Sequence, residues 1–416
     1  MDHFGYREDR LFAEDVALET IAEAVGTPCY VYSRATLERH YRAFDEPFSN
    51  YPHHICYAVK ANDNLAVLQV LQRLGAGFDI VSGGELDRVL AVGAAPGDVV
   101  FSGVGKSVAE IEQALCAGVR NLSLESEAEL ERVNAVALGL GKRAPIAFRI
   151  NPDVDPKTHP YIATGLRENK FGVSATDALR LYQRAAGMEG VCITGIACHI
   201  GSQLTQIAPF CDALERVLDL VNALSEIGIS LQHLDLGGGV GIRYCDENPP
   251  DPAQYTQAML EILRRRGCTL TVTLEPGRAI AGNAGVLLTR VEYIKPGPDR
   301  DFVIVDTAMN DLLRPALYQA WHEVVAVNPG SGEPRNCDVV GPICESGDFI
   351  ARDRRLAVTQ GDLLAVRSVG AYGLVMSSNY NARPRPAAVM VDGAGYHVVR
   401  NRETTAELFA HEKMLP

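Results

Sequence analysis

The segment YAVKAN puts one cationic side chain, Lys60, just after an apolar run, Ile55 to Val59, and before the turn-forming Asn62-Asp63-Asn64. A primary amine there is either a surface charge in water or a group held in a pocket, where a lowered pKa makes it a nucleophile. Its company decides between them. Polar residues stand at the ends of other apolar runs: Asp79 in GFDIVSGG, Arg149 in PIAFRINP, and His199 and Ser202 in GIACHIGSQ. HLDLGGG ends in Gly237, Gly238 and Gly239, and TVTLEPGR carries Glu275, Gly277 and Arg278. Consecutive glycines let backbone N–H groups approach an anion closely, as phosphate loops require. A carboxylate such as Glu275 can keep a ring nitrogen protonated, and His199 can stack on a ring face. An amine, a phosphate cup and a carboxylate together describe a site for pyridoxal phosphate: Lys60 would carry the aldehyde, and Glu275 would strengthen the ring as an electron sink.

Something must bring these side chains together. Between residues 54 and 278 one unit recurs eight times: a short apolar run, a polar or glycine-rich break, then a helical pattern. In NLAVLQVLQRLGA the apolar residues at 65, 68, 71 and 74 share one helix face. SEAELERVNAVALGL opens on Ser126 and acidic residues, a cap and first turn suited to the helix dipole. Residues 207–229 keep the helical period over several turns. Continuous apolar strands alternating with helices imply a parallel sheet covered by helices. The pattern predicts an α/β fold, a (β/α)8 TIM-like barrel over 35–284, with an open doubly wound sheet as the structural alternative. Such barrels work at the carboxyl ends of their strands, which is where the polar residues fall.

After residue 285 the rhythm changes to strand-like runs broken by Gly, Pro and Asp, which predicts a mostly β C-terminal domain over 285–416. Residues 1–34 form an N-terminal segment whose strand, TPCYVYS, is expected to join that domain. RYCDENPPDP, residues 243–252, reads as a surface insertion.

Bulk properties narrow the partners. The net charge of −13 argues against a nucleic-acid or anionic-membrane surface. No stretch approaches the ~18 consecutive apolar residues of a membrane span. The N-terminus lacks the apolar core of a secretory signal. Ten cysteines are scattered without metal-knuckle spacing, which reads as reduced thiols and no metal site. The expectation is a cytoplasmic protein.

YAVKAN, HIGSQ, LGGG and EPGR, in this order, resemble the fold-type III, alanine racemase-like, pyridoxal-phosphate decarboxylases. HPYIATGLRENKFG (159–172), RPALY (314–318), GPICESGD (341–348) and GAYG (370–373) are similar to the branch that decarboxylates meso-2,6-diaminopimelate to L-lysine and carbon dioxide, the last step of lysine biosynthesis. The resemblance runs from about residue 25 to 400. It implies that Lys60 is the cofactor lysine and that Asp79, His199, Ser202, Gly238, Gly239, Glu275, Gly277, Arg278 and Tyr372 hold the cofactor. It implies substrate contacts from Arg278, Arg314, Tyr318, Glu345 and Tyr372, and catalytic roles for Lys60, His199 and Cys344, the last as proton donor. In that family Cys344 and Glu345 reach the site from a second subunit, so a homodimer is implied.

A substrate with a second amino-acid head needs a cation for its distal carboxylate and an anion for its ammonium; Arg278, Arg314 and Glu345 have those charges. Decarboxylases of ornithine, arginine or carboxynorspermidine are the alternatives, and RPALY and CES count against them. A racemase is disfavoured by Glu275, since racemisation gains from an unprotonated ring nitrogen. A non-catalytic cofactor-binding protein is disfavoured by Lys60, Cys344 and Glu345 occurring together.

Overall fold

The computed structural model describes residues 2–48, 50–154, 170–330 and 332–416. They form two compact units: His40–Arg243 with Glu247–Ile280, and the chain up to Arg39 with Tyr244–Asp246 and Ala281–Pro416.

The first unit is a barrel. Its strands are His53–Ala58, Gly77–Ile80, Val99–Phe101, Asn121–Leu124, Ala144–Asn151, Val191–Cys198, His233–Asp235 and Thr271–Leu274. All neighbours pair in parallel, the eighth strand returns to the first, and the fourth pairs with the fifth, which closes the ring. A two-residue strand, Val173–Ser174, pairs in parallel with the last two residues of the fifth, Ile150 and Asn151. Short runs such as Val99–Phe101 are buried at every residue, as expected of strands covered on both faces. The helices begin where sequence chemistry stops the strands. Ser82, Ser107, Ser126 and Ser174 each accept a backbone N–H from the third residue of the helix that follows. Each such cap is worth about 0.5–2 kcal/mol and fixes where the strand-to-helix turn ends.

The second unit is mostly β. An eleven-residue strand, Gly285–Lys295, serves two neighbourhoods. Its first half pairs antiparallel with Cys29–Ser33 and Leu363–Val366, and its second half with Asp301–Val305. Cys29–Ser33 pairs on its other side, in parallel, with Ala387–Asp392. The N-terminal strand therefore belongs to the C-terminal β domain, and all five of its residues are buried. Cys29, Val31, Val286, Leu288, Ala365 and Val389 form the centre of its core.

One reading needs correction. Residues 243–252 are not simply a surface insertion. Tyr244 is buried among residues of the β unit, and Asp251 caps the helix Pro252–Arg265. The aromatic ring of Tyr244 had partners distant in sequence, which a local reading of a Pro- and Asp-rich run does not reveal.

Candidate active site

The first barrel strand stops at Ala58, and a single 3-10 turn, Val59–Ala61, carries Lys60. Register places Ala58 beside Asp79 on the second strand, so a side chain leaving this turn meets the next strand's acid. The Lys60 Nζ donates to Asp79 Oδ2 at 2.6 Å, and Asp79 is fully buried. Asp79 Oδ1 has no hydrogen-bond partner among the described residues. A buried carboxylate is costly unless compensated, and the Lys60 ammonium is its compensation.

The glycines after strand seven are required by packing. Gly237 has φ 66° and Gly239 φ 112°, the left-handed region that side chains avoid. A Cβ on Gly238 would lie 2.1 Å from the Glu275 carbonyl oxygen. The segment is thus wedged between the loops after strands six and eight: the Glu275 N–H donates to the Gly237 carbonyl at 2.7 Å, and the Leu204 N–H to the Gly239 carbonyl at 2.9 Å. The Gly238 N–H donates to His199 Nδ1 at 3.1 Å, which leaves the ring proton on Nε2. Burial, then the nearby Arg149 and Lys60 cations, hold His199 well below its ordinary pKa, so the ring is neutral. On the same side of the barrel, the Arg278 guanidinium donates to Ser202 Oγ from Nε at 3.3 Å and from Nη2 at 3.1 Å.

Two more acids stand at this end of the barrel. Asp235 ends strand seven at 1% exposure, and its Oδ1 accepts the Gly237 N–H at 2.8 Å. Its carboxyl is hydrogen-bonded to that of Glu275, which follows strand eight. Burial raises both pKa values, Asp235 to about 7 and Glu275 well above the carboxylate range, with Asp235 and Asp79 as the next largest influences on Glu275.

Lys60, Ser123, Arg149, His199, Asp235 and Glu275 line a cavity of about 440 Å³, within the usual range for a small-molecule site. The donor set fits pyridoxal phosphate. An amine is available for the aldehyde, a lone buried carboxylate oxygen stands beside it, and the half-buried Glu275 carboxyl can meet a basic ring nitrogen. Ser202, Arg278 and a glycine backbone at positive φ suit a phosphate.

In the β unit, Arg314 opens the short helix Arg314–Tyr318. It is 7% exposed; its guanidinium lies 4.5 Å from the centre of the Tyr244 ring, and its Nη1 donates to His322 Nε2 at 2.8 Å. Since His322 Nε2 must accept, its Nδ1 carries the proton and donates to the Arg367 carbonyl at 2.9 Å. Tyr318 is half-buried on the same helix. Cys344 and Glu345 are exposed on a loop organised by buried Asp348, which accepts the Met309 N–H at 2.7 Å and the Ile343 N–H at 2.8 Å. Tyr372 has φ 57°, a strained conformation for a residue with a side chain.

Lys60, Asp79, His199, Ser202, Gly238, Gly239, Glu275, Gly277 and Arg278 therefore cluster on the carboxyl side of the barrel, and Arg314, Tyr318, Cys344, Glu345 and Tyr372 belong to the β unit. Most of the HPYIATGLRENKFG motif lies outside the described residues. Sequence reasoning missed Asp235, and it noted Arg149 without giving it a role. Asp235 carried a signal: a lone acid two residues before the triple glycine. Arg149 holds Glu125 at 3.1 Å and stacks on Phe171, with 4.7 Å between guanidinium and ring centre.

The barrel, its strand-end lysine and the glycine segment define a pyridoxal-phosphate-binding barrel of the decarboxylase type. Residues 34–282 match the model of the pyridoxal-dependent decarboxylase pyridoxal-binding domain, and the chain belongs to that family. It is 59% identical to a diaminopimelate decarboxylase of Pseudomonas aeruginosa, with 100% of both chains covered. Among solved structures, it is similar to diaminopimelate decarboxylase of M. jannaschii at 38% identity and TM-score 0.95, covering 100% of this chain and 98% of that one. The Helicobacter pylori diaminopimelate decarboxylase complexed with L-lysine aligns at 41% identity and TM-score 0.91, covering 95% of this chain and 99% of that one.

Proposed function

We propose that the protein decarboxylates meso-2,6-diaminopimelate to L-lysine and carbon dioxide with pyridoxal phosphate as cofactor. The observation that carries this reading is the end-to-end match to diaminopimelate decarboxylases, 59% identical over the full length of both chains. The charge types of Arg278, Arg314 and Glu345 support it, because only a substrate with two amino-acid heads needs all three.

Lys60 would hold the cofactor covalently through Nζ, with Asp79 fixing that amine between uses. Glu275 would face the ring nitrogen and neutral His199 a ring face. Ser202, Gly238, Gly239, Arg278 and Tyr372 would hold the phosphate, while Gly277 admits the chain to close packing. When bound, pyridoxal phosphate supplies an electron sink for the charge left by departing carbon dioxide. The protein's part is orientation and proton control. Arg278 and Arg314 would bind substrate carboxylates with Tyr318 and Tyr372 beside them, and Glu345 would bind the distal ammonium. The Cys344 thiol would deliver a proton to the carbon that lost its carboxylate. Cys344 and Glu345 are exposed in the single chain, in keeping with delivery to a second copy in a homodimer. A cytoplasmic location agrees with this reading; no helix among the described residues is long and apolar enough to cross a membrane.

The test is a substrate panel of meso-, LL- and DD-diaminopimelate, L-lysine and L-ornithine, with carbon dioxide release as readout. The meso isomer should react fastest. Preference for any other member would overturn the assignment.

A further inference from the structure

Asp235 has no part in the roles above, yet it is 1% exposed and its carboxyl meets that of Glu275. Two carboxyls hydrogen-bonded to each other, with Asp235 1% exposed and Glu275 half-buried, share a proton, since two adjacent carboxylates repel. The surroundings leave that proton nowhere else to go. The groups facing the pair are Lys60 and Asp79, ion-paired with each other at 2.6 Å, and Arg149, ion-paired with Glu125 at 3.1 Å, together with Cys56, Cys198, His199 and Tyr255. Burial keeps the two thiols and the phenol protonated, with Cys198 raised to about 12, and keeps His199 neutral. Glu85, raised to about 7 by burial, faces Asp79 and Lys60 instead.

Resting on the pyridoxal-phosphate reading, we propose that Asp235 is a positioning residue that shares one proton with Glu275 in the cofactor-free protein, and that this proton leaves for solvent when Glu275 meets the protonated ring nitrogen. The charge count supports it. With the shared proton, the pair and the Lys60–Asp79 couple carry a net charge of about −1. A cationic N–H placed at Glu275 substitutes for the shared proton, so both carboxyls ionise at the same net charge. One O–H bond breaks, its proton goes to water, and Asp235 stays ionised on the Gly237 N–H. Cofactor affinity is thereby tied to pH through Asp235 and rises with pH.

The test compares affinity for pyridoxal phosphate, read from visible absorbance, in wild type and Asp235→Asn between about pH 7 and pH 8.5. The asparagine amide donates to Glu275, holds it ionised and leaves no proton to displace. The cofactor's own titrations and those of Glu85 are common to both proteins and cancel. Wild-type affinity should rise about tenfold per pH unit more steeply than that of the variant, the slope for one proton released. Glu275→Gln should lose the same slope. Should the variants fail to fold, infrared spectra of the unaltered protein in H₂O and D₂O at about pH 8.5, where Glu85 is ionised, keep the question open to refutation: a protonated-carboxyl band should be present before pyridoxal phosphate is added and lost after. Parallel slopes, or a band unchanged by the cofactor, would overturn the role of Asp235. Failure of the wild type to take up pyridoxal phosphate at all would instead overturn the functional reading.

Discussion

In the barrel, Lys60, Asp79, Asp235 and Glu275 stand on strand ends or the turns after them, each held by a partner on an adjoining segment. In the β unit, Cys344 and Glu345 stand outward on a loop, and the order there comes from Asp348 beneath them. One unit encloses its chemical groups around a cavity; the other displays two of its groups to solvent. A site built on strands is preorganised by hydrogen-bonded neighbours, whereas displayed groups gain function only when something docks on them.

The largest effect should come from the enclosed side. Lys60→Ala should abolish both the visible absorbance with pyridoxal phosphate and carbon dioxide release, and borohydride should label wild type at Lys60 only. A variant keeping chromophore and turnover would undo the comparison at its root. Next comes the displayed side: Cys344→Ala should lower kcat by roughly 10²–10⁴-fold, the range for loss of a proton donor, with absorbance unchanged. Mixing inactive Lys60→Ala and Cys344→Ala chains should then restore about a quarter of wild-type activity, since random pairing leaves one intact site in each hybrid dimer. No recovery after subunit exchange would mean that each chain uses its own cysteine.

Asp348→Asn sharpens the point that the loop depends on its buried support. An asparagine replaces one acceptor oxygen with a donor facing an N–H, which should cost about 1–3 kcal/mol of stability by denaturant titration. It should also raise KM while the cofactor absorbance stays in place. The last effect leaves the chemistry untouched and lies at the other end of strand seven. His233 is buried, its Nε2 lacks a partner among the described residues, and burial lowers its pKa to about 4. The unfolded chain takes up this proton first, so its contribution is complete above about pH 6.5 and is lost as pH falls toward 4, by about 3 kcal/mol in all. His233→Gln should flatten part of that acid limb in thermal melts; an unchanged limb would assign it elsewhere.

Much of this was legible from residue order. Lys60, His199, the glycines and Glu275 interrupt apolar runs, and such interruptions mark strand ends. Asp235 was hidden because an acid between Leu234 and Leu236 reads as one polar step of an alternating strand, and its partner Glu275 lies forty residues away. Asp348 and Tyr244 were hidden for a related reason: what they hold is backbone or a guanidinium distant in sequence. Periodicity reports which face a residue takes, and it is silent on who waits there.

The buried strand Cys29–Ser33 has a consequence for synthesis. Its parallel neighbour, Ala387–Asp392, is made near the end of the chain. At ~5–20 residues per second, a separation of about 350 residues means a wait of roughly 20–70 s on the ribosome. The barrel's residues follow one another almost without interruption and can assemble during that interval. The second unit can close only when translation is nearly complete, so a stop codon falling between the barrel and Ala387 would spare the barrel and leave a naked strand at its N-terminal side, open to pairing with other chains.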